Sequence, residues 1–268
     1  MTTALPEVTE RVISVWNDQI NLRFKVTGQG PALVYLHPAA GLAWDEFLAQ
    51  LAREYTIYAP EFPGTSPADP YAIHKVDDLW QLVLLYEEAI RKLDIGTPVL
   101  AGQSFGGMIA AELAASYPDR FTKVILLDPI GLWRDEQPVA NWIAAPPTAL
   151  PDMLFADPDG EAAKAMLTLP SDPEEAIAVG AGLVWALGCT GKLVWPIPDK
   201  GLEQRLHRIT APTLIVWGEQ DKLIPPSYAD LFAARISGSK VALIPGAGHI
   251  PQVEATDATY AQVEAFLH

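Results

Sequence analysis

Ser104 lies in a Gly-x-Ser-x-Gly pattern between two segments of different periodicity. The apolar run at residues 99–101 predicts a buried strand, and the small and apolar residues that begin at Met108 have helical spacing. A serine on the sharp turn between a strand and a helix is typical of a nucleophile elbow, in which flanking glycines let chain segments approach closely. This pattern predicts that Ser104 attacks a carbonyl carbon and that the N–H of Phe105, at the helix start, binds the resulting oxyanion.

A serine hydroxyl is a weak nucleophile at neutral pH, so this chemistry needs a general base. His249 is the histidine best placed for that role, because it lies in a glycine-rich segment after the apolar run at residues 240–244. Small neighbours at the end of a strand let an imidazole reach a nucleophile on another strand. The other four histidines are expected at surface or structural positions: His37, His74, His207 and His268.

Two aspartates are candidates for the acid that orients the histidine. Asp221 and Asp128 each follow an apolar run, and each lies between the candidate nucleophile and the candidate base in the chain. The order nucleophile, acid, base is the one expected of this architecture, so chain order does not separate the two candidates. We favour Asp221 as the acid, since a carboxylate at Asp128 could equally bind loop N–H groups in a structural role.

The second donor to the oxyanion is expected in the loop after the apolar run at residues 33–36. Pro38 has no N–H and cannot donate. Ala39 is therefore the favoured donor, with Ala40 as the next candidate. His37, at the start of the loop, is expected to brace it rather than to act as a second base.

These candidate residues are positioned by an alternation of strand and helix patterns. A hairpin pattern at residues 11–26 is followed by apolar runs that alternate with helical segments, which predicts an α/β fold with a mostly parallel central sheet and helices on both faces. Residues 131–205 break the alternation with prolines and short helical patches. We therefore predict a core of residues 1–130 and 206–268 with an inserted helical cap of residues 131–205.

Aromatic residues are concentrated in the predicted cap, which favours an apolar substrate pocket beneath it. The pocket candidates are Trp133, Trp142 and Trp185 in the insertion, together with Ile250 beside the candidate base.

Composition argues against several classes of partner. The 268 residues include 18 basic and 33 acidic side chains, a net charge of −15 with no basic cluster, which disfavours binding to nucleic acid or to an anionic membrane. The longest uncharged apolar stretch, residues 176–189, has fourteen residues, too few to span a bilayer, and residues 1–7 lack a signal-peptide pattern. From these two observations we expect a cytoplasmic location. With Cys189 as the lone cysteine, we expect neither an intrachain disulfide nor a cysteine-based metal site.

Together these residues resemble the α/β-hydrolase superfamily over nearly the whole chain outside the predicted cap. The matching segments are the nucleophile elbow at residues 102–107, the acid-bearing segment at residues 217–225, the histidine loop at residues 248–249, the oxyanion loop at residues 37–41 and the turn at residues 61–64. Two positions depart from the family pattern. Pro38 replaces the first glycine of the oxyanion loop, and Ser66 stands where a glycine is common.

The resemblance implies a serine hydrolase that uses no metal or cofactor and acts on a small molecule. We expect small, largely apolar carboxylic esters, cleaved through an acyl-enzyme intermediate. The alternative is a C–C bond or lactone hydrolase with the same triad, which an arginine facing Ser104 would favour; Arg134 and Arg205 lie at the edges of the cap. A ligand-binding receptor on a hydrolase scaffold is a further alternative, against which the intact set of serine, aspartate and histidine argues.

Overall fold

A mixed sheet of eight strands runs through the centre of residues 7–268, the part of the chain that the computed structural model describes. Residues 1–6 lie outside that part. The expectation that residues 1–7 form no signal peptide therefore falls mostly on residues that the structure does not describe. The strands are β1 (Thr9–Val15), β2 (Ile20–Gly28), β3 (Ala32–Leu36), β4 (Thr56–Pro60), β5 (Val99–Gln103), β6 (Val124–Leu127), β7 (Thr213–Gly218) and β8 (Lys240–Ile244). Their order is β1-β2-β4-β3-β5-β6-β7-β8. The pairs β1/β2 and β2/β4 are antiparallel and the others parallel, so the predicted hairpin and mostly parallel sheet are confirmed.

Helices cover both faces of the sheet, as predicted. The α-helices are α1 (Glu46–Leu51), α2 (Leu79–Lys92), α3 (Phe105–Ser116), α4 (Leu150–Leu154), α5 (Glu161–Leu167), α6 (Pro173–Val194), α7 (Tyr228–Arg235), α8 (Pro251–Glu254) and α9 (Thr256–Leu267). Buried side chains of α2, α3 and α7 pack in one cluster with Val34 and Leu100. Those of α1 and α9 pack in a second cluster with Leu33 and Ala101. Successive strand residues point to opposite faces, so each strand contributes to both clusters.

Two helices begin at other residues than their patterns predict. The amphipathic pattern of residues 76–93 predicts a helix from residue 76, but α2 begins at Leu79 because the Asp78 side chain caps it by accepting the N–H of Gln81 at 2.7 Å. The pattern for α3 begins at Met108, but the helix begins at Phe105 because the turn at Ser104 leads directly into it.

The parallel register aligns the carboxyl ends of neighbouring strands. Gln103 at the end of β5 pairs with Leu127 at the end of β6, and Leu127 pairs with Val216 of β7. The loops that follow these strands therefore start side by side, at the edge where ligands bind to open α/β sheets. The candidate residues on these loops and on the loop after β8 are Ser104, Asp128, Asp221 and His249.

The chain between β6 and β7 forms helices and loops. Residues 128–212, all within the described part, contain α4, α5, α6 and short 3-10 turns but no strand. The expectation of short helical patches is wrong for α6, which has 22 residues. Asp172 caps this helix by accepting the N–H groups of Glu174 and Glu175, and Pro173 stands in its first turn, so the helix begins three residues before the uncharged stretch. The boundaries of the cap at residues 131 and 205 stay a prediction.

Helix α6 is long and apolar enough, by length and composition alone, to cross a membrane. An 18-residue window of it has a mean hydropathy of 1.6, and 33% of that window is buried inside the protein. Its C-terminal end packs into the core through Cys189 and Leu193, whereas Ile177 and Val184 nearer its N-terminus are exposed. The fourteen-residue stretch in the sequence therefore understates the apolar length of this helix.

Candidate active site

Ser104 occupies a strained turn between β5 and α3. Its backbone has φ 53° and ψ −114°, outside the regions that L-residues ordinarily adopt, and its side chain is almost buried. The glycines on either side permit this turn. A Cβ on Gly106 would overlap with the carbonyl oxygen of Leu36 at the end of β3, and a Cβ on Gly102 would overlap with the carbonyl of Gly106. The elbow predicted from the sequence is therefore present, and it requires glycine on both sides of the serine.

Three buried side chains form a hydrogen-bonded series. Ser104 Oγ lies 2.8 Å from Nε2 of His249, and Nδ1 of His249 lies 2.8 Å from Oδ2 of Asp221. The other carboxylate oxygen of Asp221 accepts the N–H groups of Leu223 at 2.8 Å and Ile224 at 2.9 Å. This arrangement fits a neutral imidazole whose Nδ1–H donates to the carboxylate and whose Nε2 accepts the serine hydroxyl. The structure thus brings together the three residues that the sequence favours.

Asp128 lies next to this series but makes no hydrogen bond to the histidine among the described contacts. Its Oδ1 accepts the N–H of Gly218 at 2.9 Å, and its backbone has a positive φ of 42°. One carboxylate oxygen of Asp128, one of Asp221 and one ring nitrogen of His249 lie within 4.8 Å of one another. Burial, reinforced by the neighbouring carboxylate of Asp221, raises the pKa of Asp128 well above its usual range.

The cluster of these three side chains has the ligand types of a metal site, but its nitrogen atoms are already engaged. Both ring nitrogens of His249 take part in hydrogen bonds with protein side chains. A metal ion would need one of those nitrogens and would disrupt the series. The arrangement therefore fits proton transfer better than metal binding.

The loop that holds His249 is fixed by contacts that the sequence analysis did not predict. The backbone N–H of His249 donates to the carbonyl of Leu154 in α4 at 2.8 Å, and the side-chain amide of Gln103 donates to the His249 carbonyl at 2.9 Å. Glu254 of α8 accepts three N–H groups, that of Gly248 at 2.6 Å, that of Ala156 at 2.8 Å and that of Asp157 at 3.5 Å. These partners lie far apart in the chain, and no local motif marks them.

The two predicted oxyanion donors lie on adjoining segments. Phe105 is the first residue of α3, and Ala39 lies in the turn at residues 38–41, closed by the N–H of Gly41 donating to the Pro38 carbonyl at 3.2 Å. Within residues 7–268, neither Phe105 nor Ala39 donates its N–H to a protein acceptor. Both N–H groups are therefore available to bind an oxygen atom of a ligand.

His37 braces the turn that contains Ala39, in agreement with its predicted structural position. Its Nε2 accepts the N–H of Phe62 at 2.9 Å, and its Nδ1 donates to the carbonyl of Pro38 at 2.7 Å. Both bonds need the neutral imidazole. Burial lowers the pKa of His37 to about 4, while the Pro38 carbonyl opposes that change.

The predicted pocket residues lie in three places. Trp133 and Trp142 line a cavity of about 80 Å³ whose lining does not include Ser104 or His249. Trp185 packs edge-on against Tyr71, with its ring N–H donating to the carbonyls of residues 64 and 70. Ile250 is buried beside the candidate base, in a cluster with Phe155. Of the four candidates, Ile250 adjoins the hydrogen-bonded series in the chain, and the pocket role of all four stays a prediction.

Comparisons with known proteins place these observations in a family. The chain is 27% identical over 286 aligned positions to the 2-hydroxy-6-oxo-6-phenylhexa-2,4-dienoate hydrolase of Burkholderia cepacia, with 96% of each chain covered. It is 24% identical to the pimeloyl-[acyl-carrier protein] methyl ester esterase of Vibrio parahaemolyticus, which covers 92% of this chain and 98% of the esterase. The solved structure of a thermophilic esterase superposes with a TM-score of 0.73 at 22% identity, over 97% of this chain and 98% of that one.

A family model matches most of the chain. Residues 33–262 match the model of the alpha/beta hydrolase family, and this range includes β3 to β8 and the four candidate residues Ser104, Asp128, Asp221 and His249. The chain therefore belongs to the alpha/beta hydrolase family.

Proposed function

We propose that this protein is a serine hydrolase that cleaves small, largely apolar carboxylic esters through an acyl-enzyme intermediate. The observation that carries the proposal is the buried series of Ser104, His249 and Asp221, joined by two hydrogen bonds of 2.8 Å at a nucleophile elbow. In such a series the histidine removes the serine proton as the hydroxyl attacks, and the aspartate stabilises the imidazolium that forms.

The reaction proceeds in two halves. Ser104 Oγ bonds to the ester carbonyl carbon while its proton passes to Nε2 of His249, and the N–H groups of Phe105 and Ala39 bind the oxyanion. His249 then gives the proton to the leaving alcohol as the carbon–oxygen bond breaks. Water attacks the acyl-enzyme by the same relay, which releases the acid and restores the serine.

The arginines at the edges of the insertion support an apolar substrate. Arg134 donates to both carboxylate oxygens of Glu203 at 2.8 and 2.9 Å, and Arg205 donates to both of Glu112 at 2.6 and 2.8 Å. Guanidinium groups held in this way are already neutralised by carboxylates. They are poorly suited to bind an anionic substrate beside Ser104, which favours an ester over the anionic dienoates named for the Burkholderia relative.

C–C bond hydrolysis is the second candidate. It is favoured by the 27% identity to the dienoate hydrolase of Burkholderia cepacia over 96% of both chains. The same serine, histidine and aspartate would serve, with a different electrophile and leaving group.

Hydrolysis of p-nitrophenyl esters from acetate to dodecanoate tests the proposal, with wild type beside Ser104→Ala. We expect turnover of the short esters, with a loss of at least ~10³-fold in the variant. The chain length at which kcat/KM falls would measure the size of the acyl pocket. No turnover above the Ser104→Ala background would overturn the ester proposal, and a vinylogous 1,5-diketone substrate would then test C–C hydrolysis.

A further inference from the structure

We propose that Asp128 is a positioning residue that stays a neutral carboxylic acid and donates a hydrogen bond to the carboxylate of Asp221. This inference rests on the proposed function, because it assigns a supporting group to the same series. It differs from the expectation that either aspartate alone orients the histidine. Here the two aspartates have distinct roles in orienting the histidine. Asp221 accepts the hydrogen bond of His249, and Asp128 donates a hydrogen bond to Asp221.

The hydrogen bonds of the two carboxyl groups divide these roles. Asp221 accepts three donors, namely the ring of His249 and the N–H groups of Leu223 and Ile224. Asp128 accepts one, the N–H of Gly218. A carboxylate with three donors is strongly stabilised as an anion, whereas a buried carboxylate with one is not.

The second oxygen of Asp128 identifies where a proton belongs. Oδ2 is buried and has no hydrogen-bond partner in the structure, and the whole side chain is inaccessible to solvent. An ionised oxygen in that position would carry the full cost of desolvation. A proton on Oδ2 turns it into a donor. One carboxylate oxygen of Asp128 and one of Asp221 lie within 4.8 Å of each other, which makes the Asp221 carboxylate the acceptor beside it.

The groups around Asp128 reinforce its neutrality. The titratable side chains that face it are Asp221 after β7, His249 after β8 and Glu254 of α8, and within residues 7–268 no lysine or arginine forms an ion pair with it. Two adjacent buried carboxyl groups cannot both ionise without strong repulsion. Burial and the Asp221 charge accordingly raise the pKa of Asp128.

The consequence for the site is a fixed charge and a fixed geometry. With Asp128 neutral, the pair carries one negative charge, located on the aspartate that contacts His249. The added hydrogen bond holds the plane of the Asp221 carboxylate, and through it the orientation of the imidazole ring.

Asp128→Asn is the decisive variant, because it fixes this position in the neutral state. The asparagine carbonyl can still accept from Gly218, its NH2 can donate to Asp221, and asparagine tolerates the positive φ of 42°. Asp128→Gly is the matched variant, since glycine also tolerates that φ but removes the donor and the acceptor.

The readout is the rate at which a small alkyl fluorophosphonate inactivates Ser104, measured from pH 5 to 9. This rate requires the nucleophile and base but no knowledge of the natural substrate. We expect Asp128→Asn to stay within about threefold of wild type with an unchanged apparent pKa, and Asp128→Gly to be at least about tenfold slower. If Asp128 were ionised, Asp128→Asn would lower the apparent pKa by about one unit or more, because a buried negative charge near the imidazolium would be lost.

Infrared difference spectroscopy tests the proton directly and without any reaction. The spectrum of wild type minus Asp128→Asn at pH 7 should contain the carbonyl stretch of a protonated carboxylic acid. The proposal would be overturned by absence of that band or by a lowered apparent pKa in Asp128→Asn. It would also be overturned if Asp128→Asn and Asp128→Gly lowered the inactivation rate equally. Failure of wild type to react with the fluorophosphonate would count against the proposed function instead, and the infrared band would still decide the state of Asp128.

Discussion

The backbone N–H of His249 donates to the carbonyl of Leu154 at 2.8 Å, so the loop that holds the candidate base is hydrogen-bonded to the first α-helix of the insertion. Glu254 adds a second link, because its two carboxylate oxygens accept the N–H groups of Gly248 and Ala156. A shift of residues 154–156 would therefore displace the imidazole from Ser104. These hydrogen bonds therefore couple the position of residues 154–156 in the insertion to that of the His249 side chain.

Glu254→Gln should weaken this link. A glutamine side chain has one oxygen, so its NH2 group must face either the N–H of residue 248 or the N–H groups of residues 156 and 157. We expect kcat on p-nitrophenyl acetate to fall about 10-fold and KM to change little, since a bond to a charged acceptor contributes about 1.5–3 kcal/mol. Glu174→Gln, on an exposed side chain in the first turn of α6, is the control and should leave both constants unchanged. An unaltered kcat in Glu254→Gln would contradict the coupling.

Gly106→Ala should lower activity strongly by displacing the backbone of the elbow. The added Cβ would overlap with the Leu36 carbonyl, which belongs to the central sheet and cannot move aside cheaply. Displacing the elbow by about 1 Å is expected to lower kcat/KM roughly 100-fold. Gly182→Ala in α6 is the matched control, since, beyond its chain neighbours and the backbone of its own helix, no described atom lies within 4 Å of its added Cβ. For Gly182→Ala we expect full activity and a free energy of unfolding in urea about 0.5–1 kcal/mol higher than that of wild type, because alanine favours a helix. Equal behaviour of the two variants would show that the elbow tolerates a side chain.

His37 should make the protein less stable in acid. Its folded-state pKa of about 4 lies below the ordinary value of about 6.5, so below pH 6.5 the unfolded chain binds a proton that the folded protein does not. Its contribution to stability is complete above pH 6.5 and is lost progressively as the pH falls to about 4, by about 3 kcal/mol in total. Urea unfolding of wild type and His37→Gln across this range measures the difference in slope, with His207→Gln at an exposed position as the control. Parallel curves for wild type and His37→Gln would show that another group accounts for the acid sensitivity.

Arg205→Met should destabilise the fold by leaving a buried charge unpaired. The Glu112 side chain is 3% exposed and receives two hydrogen bonds from Arg205, which lies in the chain just before β7. Removing one partner of such a pair is expected to cost about 2–4 kcal/mol. The double variant Glu112→Leu with Arg205→Met should recover most of that loss in urea unfolding, since no charge remains buried. If Arg205→Met were as stable as wild type, water would replace the arginine as the partner of Glu112.

The parts of the site that the sequence predicts are those set by local structure. The elbow at Ser104 requires glycines within two residues, and the small residues before His249 mark its loop, so both can be recognised from short segments. Which aspartate contacts the histidine, by contrast, depends on which strands are neighbours in the sheet. Asp128 and Asp221 follow the adjacent strands β6 and β7, and in the structure the carboxyl of Asp128 accepts the Gly218 N–H whereas that of Asp221 contacts the imidazole.

Contacts between distant segments explain what the sequence does not predict. Glu254 and Ala156 are 98 residues apart, and neither residue type indicates the other. The richness of the insertion in tryptophan predicts an apolar surface but not its partners, and Trp185 instead donates its ring N–H to carbonyls of the loop after β4. The length of α6 was underestimated for a related reason, since a helix continues through the charged residues at its ends when a cap such as Asp172 stabilises it.

The strands on either side of the insertion, β6 and β7, are direct neighbours, with Leu127 paired to Val216. The polypeptide leaves the sheet and returns to it at almost the same place, after the whole of residues 128–212. An excursion of this kind can lengthen, shorten or change sequence without altering the register of any strand. Outside residues 154–156, which are hydrogen-bonded to the loop of the base and to Glu254, the insertion can thus change during evolution, and substrate preference with it, while Ser104, Asp221 and His249 keep their positions.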